Sequence, residues 1–167
     1  MEHLRKWHVV YTKPKWEKKV DLHFAQKGIE SWCPTQKKER QWSDRKKIIE
    51  EPLFKSYVFV KATKEAYANI LSTMGVVRFL YFEKKPAIIR DNEIELIRKY
   101  LGLSFTSIQV VDMGSIKSQA KVTVNHGLFM GQRGEVVKAD KKSVYVRLDS
   151  INMMMIVEFK LEEVSVL

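Results

Sequence analysis

Cysteine is almost absent from this chain of 167 residues, in which Cys33 stands alone. A single thiol excludes an internal disulfide and a cysteine zinc cluster, and it is consistent with a reducing cytosol. No apolar run approaches the length of a membrane span, and residues 1–6 lack the apolar stretch of a signal peptide. We therefore expect a cytoplasmic protein with no membrane partner.

Catalytic motifs are absent as well. The chain has no His-Glu-x-x-His motif, no phosphate loop and no nucleophile elbow. Metal-ligand spacing is not found among the four histidines, which are His3, His8, His23 and His126. Cys33 precedes Pro34 and suits a buried or edge thiol better than a nucleophile. We expect no enzyme activity, no cofactor and no metal.

Basic charge is concentrated in the first third of the chain. The formal net charge is +10, and the hydrophobic fraction of 45% is high enough for packed cores in one ordinary or two small domains. Residues 1–62 hold 15 Lys and Arg against 8 Asp and Glu, whereas residues 102–167 hold 8 against 7. An anionic partner is therefore expected to meet the N-terminal third.

Predicted strands and helices alternate over the first hundred residues. The patterns predict strands at 7–11 and 76–82, a hairpin arm made of 30–42 and 47–61, a short strand at 87–90, and helices over 16–28, 63–75 and 91–102. This order matches a split βαβ layout, in which helices cover one face of an antiparallel sheet.

After residue 102 the pattern changes to short strands joined by tight turns. Residues 103–117 show no clear period and are predicted to form a linker. Residues 118–167 are predicted to form a small all-β barrel. The predicted fold class is therefore α+β, with one sandwich domain over 1–102 and the barrel at the C-terminus.

One stretch carries an unusual aromatic face. Read as a single strand from Leu53 to Lys61, it places Tyr57 and Phe59 between lysines on one face, opposite Val58. Two exposed aromatic rings would suit docking onto a partner. The same rings could instead pack beneath a helix, and the residues alone leave both interpretations open.

Three segments together resemble a known family. The Gly-rich turn and strand at 127–137 resemble a KOW motif, whose glycines permit φ > 0 or close backbone approach. Combined with Trp-His-Val-Val-Tyr at 7–11 and Glu-Pro-Leu-Phe followed by Tyr-Val-Phe-Val within 51–60, it resembles the NusG family of transcription elongation factors. In this family an NGN domain is linked to a KOW domain. The sequence of the 51–60 segment resembles the RfaH-like branch and capsule-operon antiterminators more closely than general NusG.

The resemblance implies a function and a partner. In the family, the NGN domain docks an apolar patch onto the clamp helices of the largest RNA polymerase subunit, which promotes processive elongation and antitermination. The matching patch positions in this chain are Tyr11, Tyr57 and Phe59. We expect the protein to be a monomer.

Nucleic-acid contacts are implied in part. Lys13 matches a basic position that touches non-template DNA in RfaH-like proteins, whereas Trp16 and Met74 depart from that pattern. The arm could reach upstream DNA through phosphates and stacking on Trp42, or it could be a solvated hairpin. Its cations are Lys37, Lys38, Arg40, Arg45, Lys46 and Lys47.

The KOW domain implies a second partner. Phe129 matches an aromatic residue that meets Rho or a small-subunit ribosomal protein in NusG, and Met153 and Met154 lie near the second contact loop. These methionines could form an adaptable contact surface or fill the barrel core. An alternative function is a ribosome-associated RNA-binding KOW protein. Such a protein would be expected to carry its basic charge on the KOW module, whereas this module is nearly neutral.

Overall fold

A computed structural model describes residues 4–102, 107–112, 120–124, 133–136, 143–158 and 164–166, and the chain divides into two units, Met1–Arg90 and Asp91–Leu167. The first unit contains β1 (Lys6–Thr12), α1 (Glu17–Gln26), β2 (Glu30–Trp32), β3 (Thr35–Gln41), β4 (Lys46–Pro52), β5 (Tyr57–Ala62), α2 (Tyr67–Leu71), β6 (Val76–Phe79), β7 (Tyr81–Phe82) and β8 (Lys85–Pro86). The second contains α3 (Asp91–Leu101), β9 (Ser107–Asp112), β10 (Ala120–Val124), β11 (Arg133–Val136), β12 (Ser143–Leu148), β13 (Met153–Glu158) and β14 (Val164–Val166). None of the described helices has the length and apolar character needed to cross a membrane.

The first unit is built on a four-stranded antiparallel sheet in the order β2-β5-β1-β6. Strand β1 is an inner strand whose β-branched residues favour extended backbone. It pairs with β5 along its whole central part, ending at Tyr11 opposite Tyr57, and it pairs with β6 on its other side. This pairing confirms the predicted antiparallel sheet with crossover helices.

Helices cover one face of this sheet. In α1, Val20 and Phe24 are one turn apart, so both side chains lie on the same helix face. They are buried in a cluster with Val10 of β1, Val58 of β5 and Ile70 of α2. The helix is followed by Gly28 at φ +70°, a left-handed conformation that glycine adopts without steric cost, as the sequence predicted for the end of this helix.

A buried histidine ties three segments of the first unit together. His8 Nδ1 lies 2.9 Å from the carbonyl oxygen of Ala87, and His8 Nε2 lies 3.1 Å from the hydroxyl of Tyr67. Because a carbonyl only accepts, Nδ1 carries the proton, and the Tyr67 hydroxyl donates to Nε2. Burial lowers the pKa of His8, which favours this neutral form.

The hairpin arm is shorter than the sequence predicted. Residues 30–42 form two strands, because β2 joins the main sheet and β3 begins only after Pro34. Residues 47–61 are also divided, because a turn over Leu53–Ser56 separates β4 from β5. The arm proper is therefore the β3–β4 hairpin, and the return strand predicted over 47–61 with a kink at Pro52 is in fact two strands that a turn separates.

The second unit combines α3 with two three-stranded sheets, ordered β11-β10-β14 and β12-β13-β9. The apolar face of α3 buries Ile94, Ile97 and Tyr100. Glu93 in its first turn is also buried, and its carboxylate accepts a hydrogen bond of 3.1 Å from the backbone N–H of Ser150. The strands from β10 to β14 agree with the predicted short-strand pattern, and the fold class is confirmed as α+β. Closure of these sheets into a KOW barrel stays a prediction.

Part of the predicted linker is a strand. Within 103–117, residues Ser107–Asp112 form β9 and pair with β13, from Ser107 opposite Glu158 to Asp112 opposite Met153. The side chain of Ile108 is fully buried there. Periodicity missed this strand because Val110 and Val111 are adjacent apolar residues that interrupt the alternation, and its pairing partner β13 lies far along the chain.

We expect Ile108→Ala to destabilise the second unit by about 2–5 kcal/mol, since it removes a buried side chain and leaves a cavity. The neighbouring change Gln109→Ala is the matched control, because Gln109 is exposed and should stay within about 0.5 kcal/mol. Hydrogen exchange at the β13 amides during urea titration measures both. Equal stability of the two variants would show that 107–112 behaves as a linker in solution.

Candidate functional site

Two tyrosines and an arginine form a row across three strands of the first sheet. Tyr11 and Tyr57 are direct cross-strand partners on β1 and β5, and their ring centroids are 4.6 Å apart. Arg78 on β6 is the partner of Tyr11 on the other side, with its guanidinium carbon 4.5 Å from the centre of the Tyr11 ring. Both tyrosines are half-buried and Arg78 is exposed. We call Arg78, Tyr11 and Tyr57 the aromatic row.

A tight turn holds the end of this row in place. The backbone N–H of Ser56 donates to the buried Glu17 carboxylate at 2.7 Å, and the Thr12 N–H donates to the Ser56 carbonyl at 2.9 Å. Ser56 has φ +64°, which is an unusual conformation for a residue other than glycine. These bonds connect the start of α1 and the end of β1 to the residue that precedes Tyr57, so they set where Tyr57 begins its strand.

Phe59 is buried and does not belong to the exposed surface. Its ring is fully buried, 5.2 Å from the Phe54 ring in an edge-to-face arrangement and 5.9 Å from the Trp32 ring. Strict alternation from Leu53 had placed Phe54 and Phe59 on opposite faces, but the turn before β5 interrupts that alternation. The prediction that Phe59 is a docking residue is therefore corrected, and Phe59 is a core residue.

Lys13 lies beside an aromatic ring that sequence reasoning had not assigned to the site. Its Nζ is 5.6 Å from the centroid of the half-buried Trp16 ring, and the Nζ of Lys19 is 4.8 Å from it. Trp16 and Lys19 are three residues apart at the start of α1, which brings them onto one helix face. That spacing could have identified them. No comparable local signal identified Arg78, whose place is set by pairing with β1.

Gly75 makes room for Trp16. Its φ of +93° suits glycine, and a Cβ at this position would lie 2.6 Å from Trp16 Cε3 and 2.8 Å from Val20 Cγ2. The Gly75 carbonyl also accepts a hydrogen bond of 2.9 Å from the Lys13 N–H. The close approach of this backbone therefore holds both Trp16 and Lys13 in position.

The six cations predicted on the arm are spread over the β3–β4 hairpin. Lys37, Lys38 and Arg40 lie on β3, Lys46 and Lys47 lie on β4, and Arg45 lies in the turn between the strands. At the turn, Lys47 Nζ is 5.5 Å from the centre of the exposed Trp42 ring. The arm cations thus form a surface separate from the aromatic row on the main sheet.

Burial separates the two methionines that the resemblance placed near a contact loop of the second unit. Met153 is half-buried at the start of β13, whereas Met154 and Met155 are both almost completely buried. Consecutive residues of a strand point to opposite faces, so both faces of β13 are covered at this point. Met154 therefore fills the interior and is not a contact residue. Phe129 lies outside the described residues.

The lone thiol is buried, and its surroundings favour the neutral form. Cys33 is buried between β2 and β3 and packs in the core cluster of the first unit. Burial, with the Asp21 and Glu17 carboxylates adding to it, raises the pKa of Cys33 to about 12. A thiol with so high a pKa has almost no thiolate near neutral pH, and the thiolate is the reactive form.

We expect Phe59→Ala to lower the free energy of unfolding by about 3–5 kcal/mol, as for other buried phenylalanines. Tyr57→Ala should cost about 1 kcal/mol, because Tyr57 is only half-buried. Urea unfolding followed by tryptophan fluorescence suits this comparison, since all four tryptophans lie in the first unit. Similar losses for the two variants would contradict the difference in burial.

Native Cys33 should resist alkylation by iodoacetamide at pH 8, where a pKa of about 12 leaves a thiolate fraction of about 10⁻⁴. Unfolding in urea should restore the ordinary thiol pKa and rapid alkylation. Mass spectrometry at successive times gives both rates. Fast alkylation of the native protein would show that the thiol is exposed and activated.

Comparison with known proteins identifies the family. The sequence model described as transcription termination factor nusG matches residues 5–98, more than half of the chain. A Streptococcus pyogenes serotype M3 protein, named transcription termination/antitermination protein NusG, is 28% identical over 173 aligned positions that cover 95% of this chain and 94% of that protein. A Borreliella burgdorferi protein of the same name is 22% identical over 81% of this chain and 83% of its own length.

A solved structure shows the same fold. The structure titled "Domain interaction in Thermotoga maritima NusG" matches with a TM-score of 0.56 and 22% identity, over 98% of this chain and 97% of that chain. These similarities place the chain among transcription termination and antitermination factors. It belongs to the NusG family.

Proposed function

We propose that this NusG-family protein binds RNA polymerase through the aromatic row and promotes processive, antiterminated transcription. The observation that supports the proposal is the contact between the tilted rings of Tyr11 and Tyr57, half-exposed at the end of the sheet and flanked by the exposed Arg78. Tyrosine and arginine are enriched among residues that dominate binding energy at protein interfaces. The partner surface would be the clamp helices of the largest polymerase subunit, as the family resemblance implies.

The geometry of the row favours binding. The two rings are held by strand pairing and by the turn before Tyr57, so little side-chain freedom remains to be lost when a partner docks. Each tyrosine also offers an apolar ring together with a hydroxyl that can pair at the edge of an interface. Arg78 adds a cation that would complement acidic residues on the partner.

Two finer features belong to the same proposal. Lys13 with Trp16 and Lys19 would contact DNA near the docked polymerase, in place of the polar residues of the RfaH-like pattern. The second unit would recruit a further factor through Phe129 and the exposed part of Met153, with Rho or a small-subunit ribosomal protein as the implied partner. The amino-acid sequence of residues 51–60 resembles the RfaH-like branch, which favours a specialised, operon-directed role within the family.

The double change Tyr11→Ala with Tyr57→Ala should weaken binding to purified RNA polymerase by about a thousandfold, since each anchor is expected to contribute about 2 kcal/mol, which is about thirtyfold for one residue. Affinity can be measured by biolayer interferometry on immobilised polymerase. Pull-down from native lysate should recover polymerase subunits with the wild-type chain and lose them with the variant.

Tyr81→Ala is the matched control, because Tyr81 is also an exposed tyrosine on a strand of the first unit. It should leave polymerase affinity within about twofold. Equal losses for the control and the double variant would show a general dependence on surface aromatics. Recovery of ribosomal particles instead of polymerase would support the alternative, a ribosome-associated KOW protein.

A further inference from the structure

The two faces of the arm carry different charge. Residues directly opposite each other in a β ladder lie on the same face. By the register of β3 and β4, one face carries three cations and one carboxylate, namely Lys38, Arg40, Lys47 and Glu51. The other face carries two cations and two carboxylates, namely Lys37, Lys46, Glu39 and Glu50. The first set is called the basic face and the second the balanced face.

Side-chain contacts agree with this division. On the basic face, Glu51 is shared by Lys38 at 3.8 Å and by Arg40, so one carboxylate serves two cations. Lys47 on this face lies over the Trp42 ring. On the balanced face, Lys46 pairs with Glu39 at 4.0 Å. Thr35 on that face donates a hydrogen bond of 2.5 Å to the Glu50 carboxylate.

A cleft at the base of the arm adjoins the basic face through Arg40 and Glu51, and its lining also includes Glu50 and Pro52 of the opposite face. This cleft has a volume of about 520 Å³ and lies between the arm, the start of α1 and the turn before β5. Its lining carries four cations, Lys15, Lys18, Arg40 and Lys55, and three carboxylates, Glu17, Glu50 and Glu51. Lys18 donates to the Glu50 carbonyl, and Glu17 is occupied by Ser56. Among the described residues, no carboxylate lies within 4.0 Å of the Lys15 or Lys55 ammonium.

We propose that the basic face of the arm and this cleft form one track for the phosphate backbone of a nucleic acid. Alternate residues of a strand are about 6.6 Å apart, so successive side chains of the basic face can meet phosphates along one backbone. The arm's seven-residue strands extend about 20 Å, so this face can contact several phosphates of one strand. The ring of Trp42 closes the outer end of the track, where an unpaired base could stack on it.

The track deepens the proposed function, because a factor bound to RNA polymerase lies beside nucleic acid. Its test contains no polymerase, so a failure here is distinct from a failure of the aromatic row. The proposed ligand is recognised by its phosphates, which both duplex and single-stranded nucleic acids carry. Two labelled probes distinguish these forms: a DNA duplex of about 20 base pairs and one of its strands. Affinity is measured by fluorescence anisotropy of the full chain over a series of salt concentrations.

Lys38→Gln with Lys47→Gln should weaken binding about tenfold at low salt and reduce the slope of log affinity against log salt by about 1.8 on duplex DNA or about 1.4 on single strands. Lys37→Gln with Lys46→Gln is the matched control, since it removes the same number of lysines from the same two strands. The control should bind within about twofold of the wild type. Lys15→Gln with Lys55→Gln should weaken binding as the basic-face variant does.

Three results would overturn the proposal. Equal losses for the basic-face and balanced-face variants would mean that only the total charge matters. If the variant Lys15→Gln with Lys55→Gln kept wild-type affinity, the cleft would not be part of the nucleic-acid contact. Superposable salt titrations of all variants would show a hairpin that is merely solvated. Circular dichroism and urea unfolding of each variant confirm that the fold is kept, because all six lysines are exposed or half-exposed.

Discussion

The pairing of β1 with β5 is the interaction on which the first unit depends. It places Val10 opposite Val58 beneath the helices and Tyr11 opposite Tyr57 at the sheet end, so one register sets both the core and the aromatic row. A shift by one residue would move every side chain of β5 to the other face, which would bury the tyrosine and expose the valines. The turn at Ser56, tied to Glu17 and Thr12, helps to hold that register.

The same unit keeps two kinds of surface apart. The aromatic row lies on the main sheet, where strand pairing brings an arginine and two rings together. The cations of the arm lie on a separate two-stranded hairpin, whose alternation divides them between two faces. An apolar docking surface gains from desolvation, whereas phosphate contacts rely on exposed charge. Their separation would let the proposed polymerase contact and the proposed nucleic-acid contact form at the same time.

Burial decides which of the candidate residues can meet a partner. Phe59 was assigned from a matching patch position of the family and Met154 from its place near a matching contact loop, yet both are almost completely buried. Phe59 packs on Phe54 across a turn, and Met154 lies on a strand flanked by β12 and β9. An apolar residue on a strand has the same local pattern whether its face meets solvent, a helix or another strand. Sequence periodicity therefore could not separate these cases.

The sequence by itself determined the α+β class, the order of most strands and helices, the aromatic pair Tyr11 and Tyr57, and the basic character of the arm. The class, the element order and the charge of the arm follow from local periodicity and composition, whereas Tyr11 and Tyr57 were assigned from the family resemblance. Only the tertiary structure decided the strand at Ser107–Asp112, the burial of Phe59 and the face on which each arm lysine lies. Each of these depends on a partner far along the chain: β13 for β9, Phe54 and Trp32 for Phe59, and the register of β4 against β3 for the lysines.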